Sequence, residues 1–390
     1  MITPEIISDW VNTQLEMYKH TGWTSKGPAG LEYSGIMEGS HEIALMVSAC
    51  QKGIVKEKSK QNAVYDAILK MVTTQGINHP CGGTCGQLNL DHYNRFGYMP
   101  SDIDVVSKTL DYAYDDFCVA QLAKKLGHKK DYKFLNNRSK NYKNVFHPEH
   151  KYVSRRDSLG RWDSNFDVFS NQGFIEGNSW QYSWYVPHDV NGLINIIGEE
   201  NAYQRLLDGF EKSREHNFAA HVFDRTMGQS AEFYINQGNE VNMSSAFIFN
   251  YLKKPWLTQK YVKEICDKFY GSSPYHGWEG DEDEGQMSSW FVMSALGLFE
   301  MNGGVTENPQ FDITSPMFER IILKLSDKYY SGKTFEIIAK NRSESNIYIQ
   351  NATLNGKQLE KPMISFQDIV KGGTLKLEMG EKPNYNLWVK

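Results

Sequence analysis

The chain has 390 residues, and its 42 basic and 47 acidic side chains nearly balance. A chain of this length can form two or three domains, while the even charge, with no basic patch or tail, argues against a nucleic-acid partner. No apolar run is long enough to span a bilayer, and five cysteines are too few for a disulfide framework. Cys81 and Cys85 are spaced like metal ligands, but no second pair follows, so we expect a loop there rather than a zinc site.

The first residues, MITPEIISDW, lack the basic stretch and apolar run of a signal peptide. We therefore expect a cytoplasmic protein if the sequence is complete. If it is part of a longer exported protein, the location is periplasmic or secreted.

Helical periodicity dominates up to about residue 298. The stretch VVSKTLDYAYDDFCVAQLAKKLG predicts a long helix that ends at Gly127. A second helix is predicted between Asp189 as N-cap and Gly198 as stop, and a third between Pro255 and Gly271. The short stretch GQMSSWFVMSALG is so apolar that we predict a helix buried on most sides.

Successive amphipathic helices joined by loops predict an α/α array, and the absence of a fixed sequence period favours a closed toroid over a solenoid. After about residue 305, short alternating segments replace the helices, and Asn355-Gly356 is a hairpin signal. We predict a mainly α fold: an (α/α)6 toroid, incomplete at its N-terminus, over residues 1–304, and a small antiparallel β domain over residues 305–390.

Aromatic residues make up 13% of the chain, and many of them lie beside Asn, Gln, Asp and Glu. Sugar-binding sites need such aromatic platforms together with polar side chains. An aromatic-rich core explains the composition equally well.

Four consecutive carboxylates, Asp281 to Glu284, lie between glycines in GDEDEG. A helix N-terminus attracts acids through its dipole, which accounts for one or two of them. An EF-hand loop does not fit, because Gln286 stands at its sixth position and Val292 at its twelfth. In a catalytic loop, Asp281 and Asp283 would share one face, with the two glutamates facing elsewhere.

Glu176 lies in GFIEGNSWQYSWYVPHD, among tryptophans and tyrosines. We expect these rings to desolvate the carboxyl group partly and to favour its protonated form, as a general acid requires. A structural glutamate paired with an arginine is the alternative. The side chains that follow it in this stretch are candidates for contacting a sugar: Trp180, Gln181, His188 and Asp189. A purely structural loop role is the alternative for His188.

A third stretch, NQGNEVNMSS, offers the oxygens of Asn239 and Glu240 in a glycine-containing turn. Oxygens of this kind suit calcium or sugar hydroxyls, although a solvated helix entry is the commoner explanation. A protonatable glutamate and a separate carboxylate pair are together the groups needed to hydrolyse a glycosidic bond.

The sequence resembles glycoside hydrolase family 92, the calcium-dependent exo-α-mannosidases. The resemblance covers about residues 8 to 330 and rests on VSKTLDYAYDDFCVAQLAKKLG, EGNSWQYSWYVPHDVNGLI, QGNEVNMSSAFIFNYLKKPW and GDEDEGQMSSWFVMSALGLF. It implies an (α/α)6 toroid. It also implies an inverting hydrolysis of terminal α-linked mannose, with α-1,2 linkages in N-glycans or mannan as the expected substrate.

The same resemblance implies roles for the residues. Glu176 matches the catalytic acid, and Asp281 and Asp283 match the pair that holds and deprotonates water. In an inverting enzyme the acid and base stand roughly 6.5–9.5 Å apart. The family's calcium ion binds two hydroxyls of the terminal mannose, and Glu240 with Asn239 matches its neighbourhood.

One departure from the family concerns the N-terminal β-sandwich domain, which is absent here. The chain is therefore expected to be a fragment, or to work with a separately encoded partner domain. Two other hypotheses remain: a glycan-binding homologue without turnover, and an α/α-toroid hydrolase or lyase acting on another sugar.

Overall fold

The computed structural model describes residues 3–29, 32–34, 38–78, 84–219 and 233–389. Cys81, with its predicted loop, lies outside these residues. Cys85 is a buried free cysteine.

Helices are the main regular structure up to residue 296. They are α1 (Pro4–Thr21), α2 (Glu42–Gln51), α3 (Lys58–Thr73), α4 (Leu90–Phe96), α5 (Lys108–Leu126), α6 (Lys129–Arg138), α7 (Ser179–Tyr182), α8 (Val190–Ile197), α9 (Glu199–Ser213), α10 (Glu240–Met243), α11 (Ile248–Tyr251), α12 (Pro255–Lys268) and α13 (Gln286–Leu296), with α14 (Phe366–Val370) near the C-terminus.

Helix α5 is the predicted long helix, and it packs against α2, α3 and α6. It ends as predicted, because Gly127 adopts a left-handed φ of 86° that closes the last turn. The helix is buried around most of its circumference, including Asp116, whose carboxylate accepts a 2.7 Å hydrogen bond from Arg138 Nε. Burial raises the pKa of Asp116 to about 6, and the charge of Arg138 opposes that rise.

Two other predicted helices are confirmed. Helix α8 begins where Asp189 Oδ1 accepts a 3.0 Å hydrogen bond from the Gly192 amide, and it ends at Gly198. Helix α12 begins at Pro255 and ends at Lys268, three residues before the predicted stop.

The prediction that α13 is buried on most sides is wrong. Met287, Trp290, Ser294 and Ala295 are buried, whereas Val292 is 49% exposed. The helix therefore presents one face to the core and another to solvent, despite its apolar sequence.

The strands lie mainly in the C-terminal part. They are β1 (Gly27–Ala29), β2 (Glu32–Ser34), β3 (Ile77–Asn78), β4 (Thr84–Cys85), β5 (Leu298–Phe299), β6 (Gln310–Ile313), β7 (Arg320–Lys324), β8 (Thr334–Lys340), β9 (Tyr348–Leu354), β10 (Lys357–Gln358), β11 (Met363–Ser365) and β12 (Gly373–Gly380). A five-stranded sheet has the order β10-β9-β12-β8-β7, and a three-stranded sheet has the order β11-β6-β5.

The larger sheet is mixed, which corrects the prediction of a purely antiparallel domain. Strands β8 and β12 run parallel, because β9, β10, β11 and α14 intervene between them along the chain. The other pairs in this sheet are antiparallel, and Asn355 and Gly356 form the predicted hairpin with φ values of 50° and 80°.

The predicted domain boundary at residue 304 stays a prediction. Strand β5 lies before it, directly after α13, but pairs with β6 beyond it. None of the described helices combines the length and apolar character that a bilayer crossing requires.

Candidate active site

Glu176 lies in the loop immediately before α7. The loop is anchored by a capping box, in which Asn178 accepts a 2.9 Å hydrogen bond from the Gln181 amide and Gln181 accepts one from the Asn178 amide. Glu176 itself has a positive φ of 51°, a conformation that costs a non-glycine residue free energy. Its side chain is exposed, so the predicted desolvation by neighbouring rings is not found.

Asn239 joins the stretch NQGNEVNMSS to the stretch that contains Glu176. It is the N-cap of α10, where its Oδ1 accepts from the Val241 amide at 3.3 Å. Its Nδ2 donates a 2.6 Å hydrogen bond to the carbonyl oxygen of Glu176. Both ends of the amide are thus engaged in holding two loops together, which makes Asn239 a positioning residue for Glu176.

Glu240 follows directly and is half-buried at the start of α10. Burial raises the pKa of its carboxyl group, a hydrogen bond with its own backbone opposes the rise, and the charges of Asp283 and Glu176 add to it. Trp290 Nε1 of α13 donates a 2.8 Å hydrogen bond to the Met243 carbonyl oxygen of α10, so the helix that follows the acidic run packs on the helix that carries Glu240.

The acidic run divides into two kinds of residue. Glu282 reaches back over the start of α13, where its carboxylate accepts hydrogen bonds from the Gly285 amide and from Ser288 Oγ, the latter at 2.6 Å. The bond from Ser288 lowers the pKa of Glu282. Glu282 therefore caps the start of α13, which is a structural role.

Asp283 differs from Glu282, because the pKa of its carboxyl group is raised rather than lowered. Burial raises the pKa of its carboxyl group, and the charges of Asp281 and then Glu282 add to the effect. Asp283 and Glu284 both have φ values of 54°, and Gly285 follows at 103°. Backbone in this region is costly for side-chain-bearing residues and concentrates at functional sites. Asp281 is exposed at the outer edge of the run.

Two of the four predicted sugar-contacting residues are interior. Trp180 is 2% exposed and packs so closely on Gly209 that a Cβ there would lie 2.3 Å from its ring. Gln181 is 3% exposed and forms the capping box described above. The structure gives these side chains packing and capping contacts in place of the expected contact with a sugar.

His188 and Asp189 are also engaged by the protein. His188 Nε2 donates to the Ser139 carbonyl oxygen at 2.9 Å, and burial lowers the pKa of the ring to about 4. Asp189 caps α8 and accepts a 2.7 Å hydrogen bond from the Tyr142 hydroxyl. The structural alternative considered for His188 matches these contacts.

The sequence reasoning missed a charged cluster beside Glu240. His41 Nδ1 lies 3.2 Å from Asp115 Oδ1, and its Nε2 lies 3.7 Å from Asp111 Oδ1 and 3.3 Å from the Tyr185 hydroxyl. Desolvation opposes protonation of His41, but the hydrogen bonds to Asp111 and Asp115 outweigh it and raise the pKa of the ring. His41 also opposes the rise in the pKa of Glu240, so this cation acts on the candidate site.

Glu38 and Lys108 extend the cluster. Their charged ends are 3.4 Å apart, and Lys108 also contacts Asp104 at 2.6 Å. Burial raises the pKa of Glu38 to about 7, against the charge of Lys108. The sequence signal was the helix α5 itself, because a helix that buries Asp111 and Asp115 one turn apart must supply partners for them.

A calcium ion would find one suitable carboxylate here. Glu240 offers a half-buried hard oxygen ligand, and the neighbouring carboxylates make its surroundings anionic. Among the described residues, no group of three or more His, Cys, Asp and Glu side chains is arranged to hold a metal. Glu240 therefore fits as one ligand, and any other oxygens must come from backbone, amide or sugar groups.

Residues 1–381 match the profile of the "Glycosyl hydrolase family 92 catalytic domain". The chain belongs to this family. A curated relative, an uncharacterized secreted glycosidase of Arthroderma benhamiae, is 27% identical over 404 residues, and the match covers 94% of this chain and 48% of the relative.

Solved structures agree with this assignment. A family 92 α-mannosidase from Bacteroides thetaiotaomicron is 31% identical, with a TM-score of 0.81 over 100% of this chain and 49% of its own. A family 92 inverting mannosidase from the same organism is 28% identical, with a TM-score of 0.85 over 100% of this chain and 52% of its own. The likeness confirms the predicted fold class, an (α/α)6 toroid followed by a C-terminal β domain. The chain spans about half the length of these relatives.

Proposed function

We propose that this chain carries the catalytic machinery of an exo-acting, inverting α-mannosidase. The observation that carries the proposal is the hydrogen bond from Asn239 to the Glu176 backbone, which joins the loop of the predicted acid to the start of the helix that carries Glu240. The charge of Asp283 also acts on Glu240. Similarity to an α-mannosidase and to an inverting mannosidase supports the substrate and the stereochemistry.

In the proposed reaction, Glu176 donates a proton to the oxygen of the leaving sugar. Asp283 takes a proton from a water molecule on the opposite face of the terminal mannose, and Asp281 helps to hold that water. The exposed position of Glu176 leaves room for the leaving group on its side of the site. Glu176 and Asp283 both have positive φ values, of 51° and 54°.

Calcium is part of the proposal, with Glu240 as a ligand and Asn239 as the residue that holds the neighbouring backbone. When bound, the ion supplies positive charge to the hydroxyls of the terminal mannose. His41 supplies a second positive charge, which acts on Glu240.

The finer specificity proposed is for α-1,2-linked mannose in N-glycans or mannan, with an N-terminal β-sandwich domain that is either part of a longer chain or separately encoded. The chain covers 49% and 52% of the solved relatives, which is compatible with such a domain.

The test is release of mannose from α-1,2-mannobiose, with proton NMR of the first product. We expect β-mannose to form first, because inversion of an α linkage gives the β anomer. Glu176→Gln should abolish release while the melting temperature stays unchanged.

Binding of mannobiose without release, by folded protein with calcium, would contradict the catalytic proposal and favour the glycan-binding homologue. Release restored by adding an N-terminal domain would instead identify an incomplete fragment. Cleavage of another aryl glycoside in preference to the mannoside would contradict the proposed substrate.

A further inference from the structure

A polar cleft of about 450 Å³ is lined by Ser101 and by residues between Arg155 and Ser164, in the segment that precedes the Glu176 loop along the chain. Its volume falls within the range of small-molecule sites, about 300–1,000 Å³. The wall is a short hairpin, in which the Asp157 amide donates to the Arg161 carbonyl oxygen at 3.0 Å and the Asp163 amide donates to the Arg155 carbonyl oxygen at 3.1 Å.

The hairpin is fixed to the rest of the protein. The Ser101 amide donates to the Arg156 carbonyl oxygen at 2.9 Å, and Ser158 donates to Asp102 through both its amide, at 2.8 Å, and its hydroxyl, at 2.6 Å. The cleft is therefore preformed, and a ligand would not have to order it on binding.

The cleft combines an aromatic ring with paired charges. Trp162 lines it, and the Arg156 guanidinium lies 5.0 Å from the centre of that ring. Two ion pairs also line the cleft. Arg155 pairs with Asp163, with an Nε–Oδ2 distance of 2.9 Å, and Arg161 pairs with Asp157 at 2.7 Å. A guanidinium has five N–H donors, so each arginine retains donors for a ligand. Asp157 retains few acceptor sites, because its carboxylate already accepts from the Leu159 and Arg161 amides as well as from the Arg161 guanidinium.

The charges exclude some ligand classes. Two arginines and two aspartates line the cleft and balance in charge, so no surplus carboxylate is available for a metal ion. Arg156 adds one positive charge beside Trp162, but its Nε already donates to the Gly160 carbonyl oxygen at 3.2 Å. A sugar suits it, because each hydroxyl both donates and accepts while one face of the ring can stack on Trp162.

The position connects the cleft with the reaction. Arg155 packs against Gly173, three residues before Glu176, so closely that a Cβ there would lie 2.8 Å from Arg155 Cδ. A smaller cavity shares Arg155 and Asp163 with the cleft and extends to Phe174. A catalytic acid protonates the leaving oxygen, so the leaving sugar lies on the side of the acid.

We propose that this cleft is an accessory site for neutral oligosaccharides, and that its occupant is a non-terminal sugar of the glycan whose terminal mannose is cleaved. The identity of that glycan rests on the proposed function. The site itself is separate from Glu176, Glu240 and Asp283.

The test uses the full chain in a Glu176→Gln background, labelled with 5-fluorotryptophan, with the Trp162 resonance assigned through Trp162→Phe. We expect α-linked mannotriose to shift this fluorine resonance in a saturable manner. Arg161→Ala removes the partner of Asp157 and should weaken binding roughly tenfold. Arg320→Ala is the matched control, because its side chain is 67% exposed against 72% for Arg161 and is likewise paired with one carboxylate.

A Trp162 resonance unmoved by mannotriose, cellotriose and galactotriose would overturn the proposal, as would equal weakening by the two arginine variants. A response of Trp162 without mannose release by the unmodified chain would leave the accessory site standing and the proposed function wrong. Mannose release without any response of the Trp162 resonance would support the proposed function and overturn the accessory site.

Discussion

Replacing Asn239 with alanine removes two hydrogen bonds, the cap on α10 and the 2.6 Å bond to the Glu176 carbonyl oxygen. Loss of an N-cap costs about 1 kcal/mol, and the second bond contributes about another 1 kcal/mol. We therefore expect the free energy of unfolding to fall by roughly 2 kcal/mol. Without its support, the left-handed backbone at Glu176 can relax and carry the carboxyl group away.

Displacement of a catalytic group by about 1 Å can cost roughly 100-fold in rate. We expect a loss of that order in kcat for mannobiose, whose leaving sugar needs a proton from Glu176. The 2,4-dinitrophenyl mannoside should lose far less, because its leaving group departs without protonation. The comparison of these two substrates isolates the acid.

Ser365→Ala is the control for stability, because Ser365 caps α14 by accepting a 3.1 Å hydrogen bond from the Asp368 amide, far from the site in sequence. It should cost about 1 kcal/mol and leave kcat unchanged. Equal losses on the two substrates in Asn239→Ala would refute the positioning argument. Recovery of the activity of Asn239→Ala by excess calcium would also refute the positioning argument, and would identify Asn239 as a metal ligand.

Three further predictions concern charge. Asp281→Asn removes a charge that raises the pKa of Asp283. The acidic limb of the pH profile of kcat/KM, measured on the remaining activity, should therefore move to lower pH. An unmoved limb would contradict Asp283 as the base. Burial raises the pKa of Asp312 to about 7, so the folded state binds more protons than the unfolded state from about pH 4 to 7 and loses stability across that range as pH rises. Asp312→Asn should therefore raise the melting temperature at pH 8 and leave it nearly unchanged at pH 4, and equal effects at both would count against this account. Chelation of calcium should lower mannose release, and Glu240→Gln should require more calcium for half-maximal activity, whereas an unchanged requirement would exclude Glu240 as a ligand.

The sequence was sufficient where the signal was local. Gly127, Asp189 and the Asn355-Gly356 turn act through their own backbone and nearest neighbours, and each lies where predicted. The parallel pairing of β8 with β12 was beyond such reasoning, because it depends on which strands meet after three others and a helix have been placed. The exposed face of α13 was missed for a related reason, since apolar composition does not reveal which neighbours are present.

The candidate site divides in the same way. The carboxylates were found because their stretches are dense in acids, aromatics and glycines. The sugar contact of Trp180 stays a prediction, because composition cannot distinguish a ring that faces a ligand from one packed on Gly209, where this ring lies. His41 was missed because its partners, Asp111 and Asp115, lie far away along the chain, 74 residues in the case of Asp115. Only the packing of α2 on α5 brings them together.

The β sheets and the helices share polar contacts inside the protein. Asn250 Nδ2 donates to Asp312 Oδ1 at 3.1 Å, Gln259 Oε1 accepts from the Ile349 amide at 2.9 Å, and Gln51 Nε2 donates to the Val305 carbonyl oxygen at 3.0 Å. A cut after residue 304 would therefore separate these amide and carbonyl groups from the partners given above. The two parts should melt in one calorimetric transition, and any shortened version of this chain should keep them as a single cooperative unit.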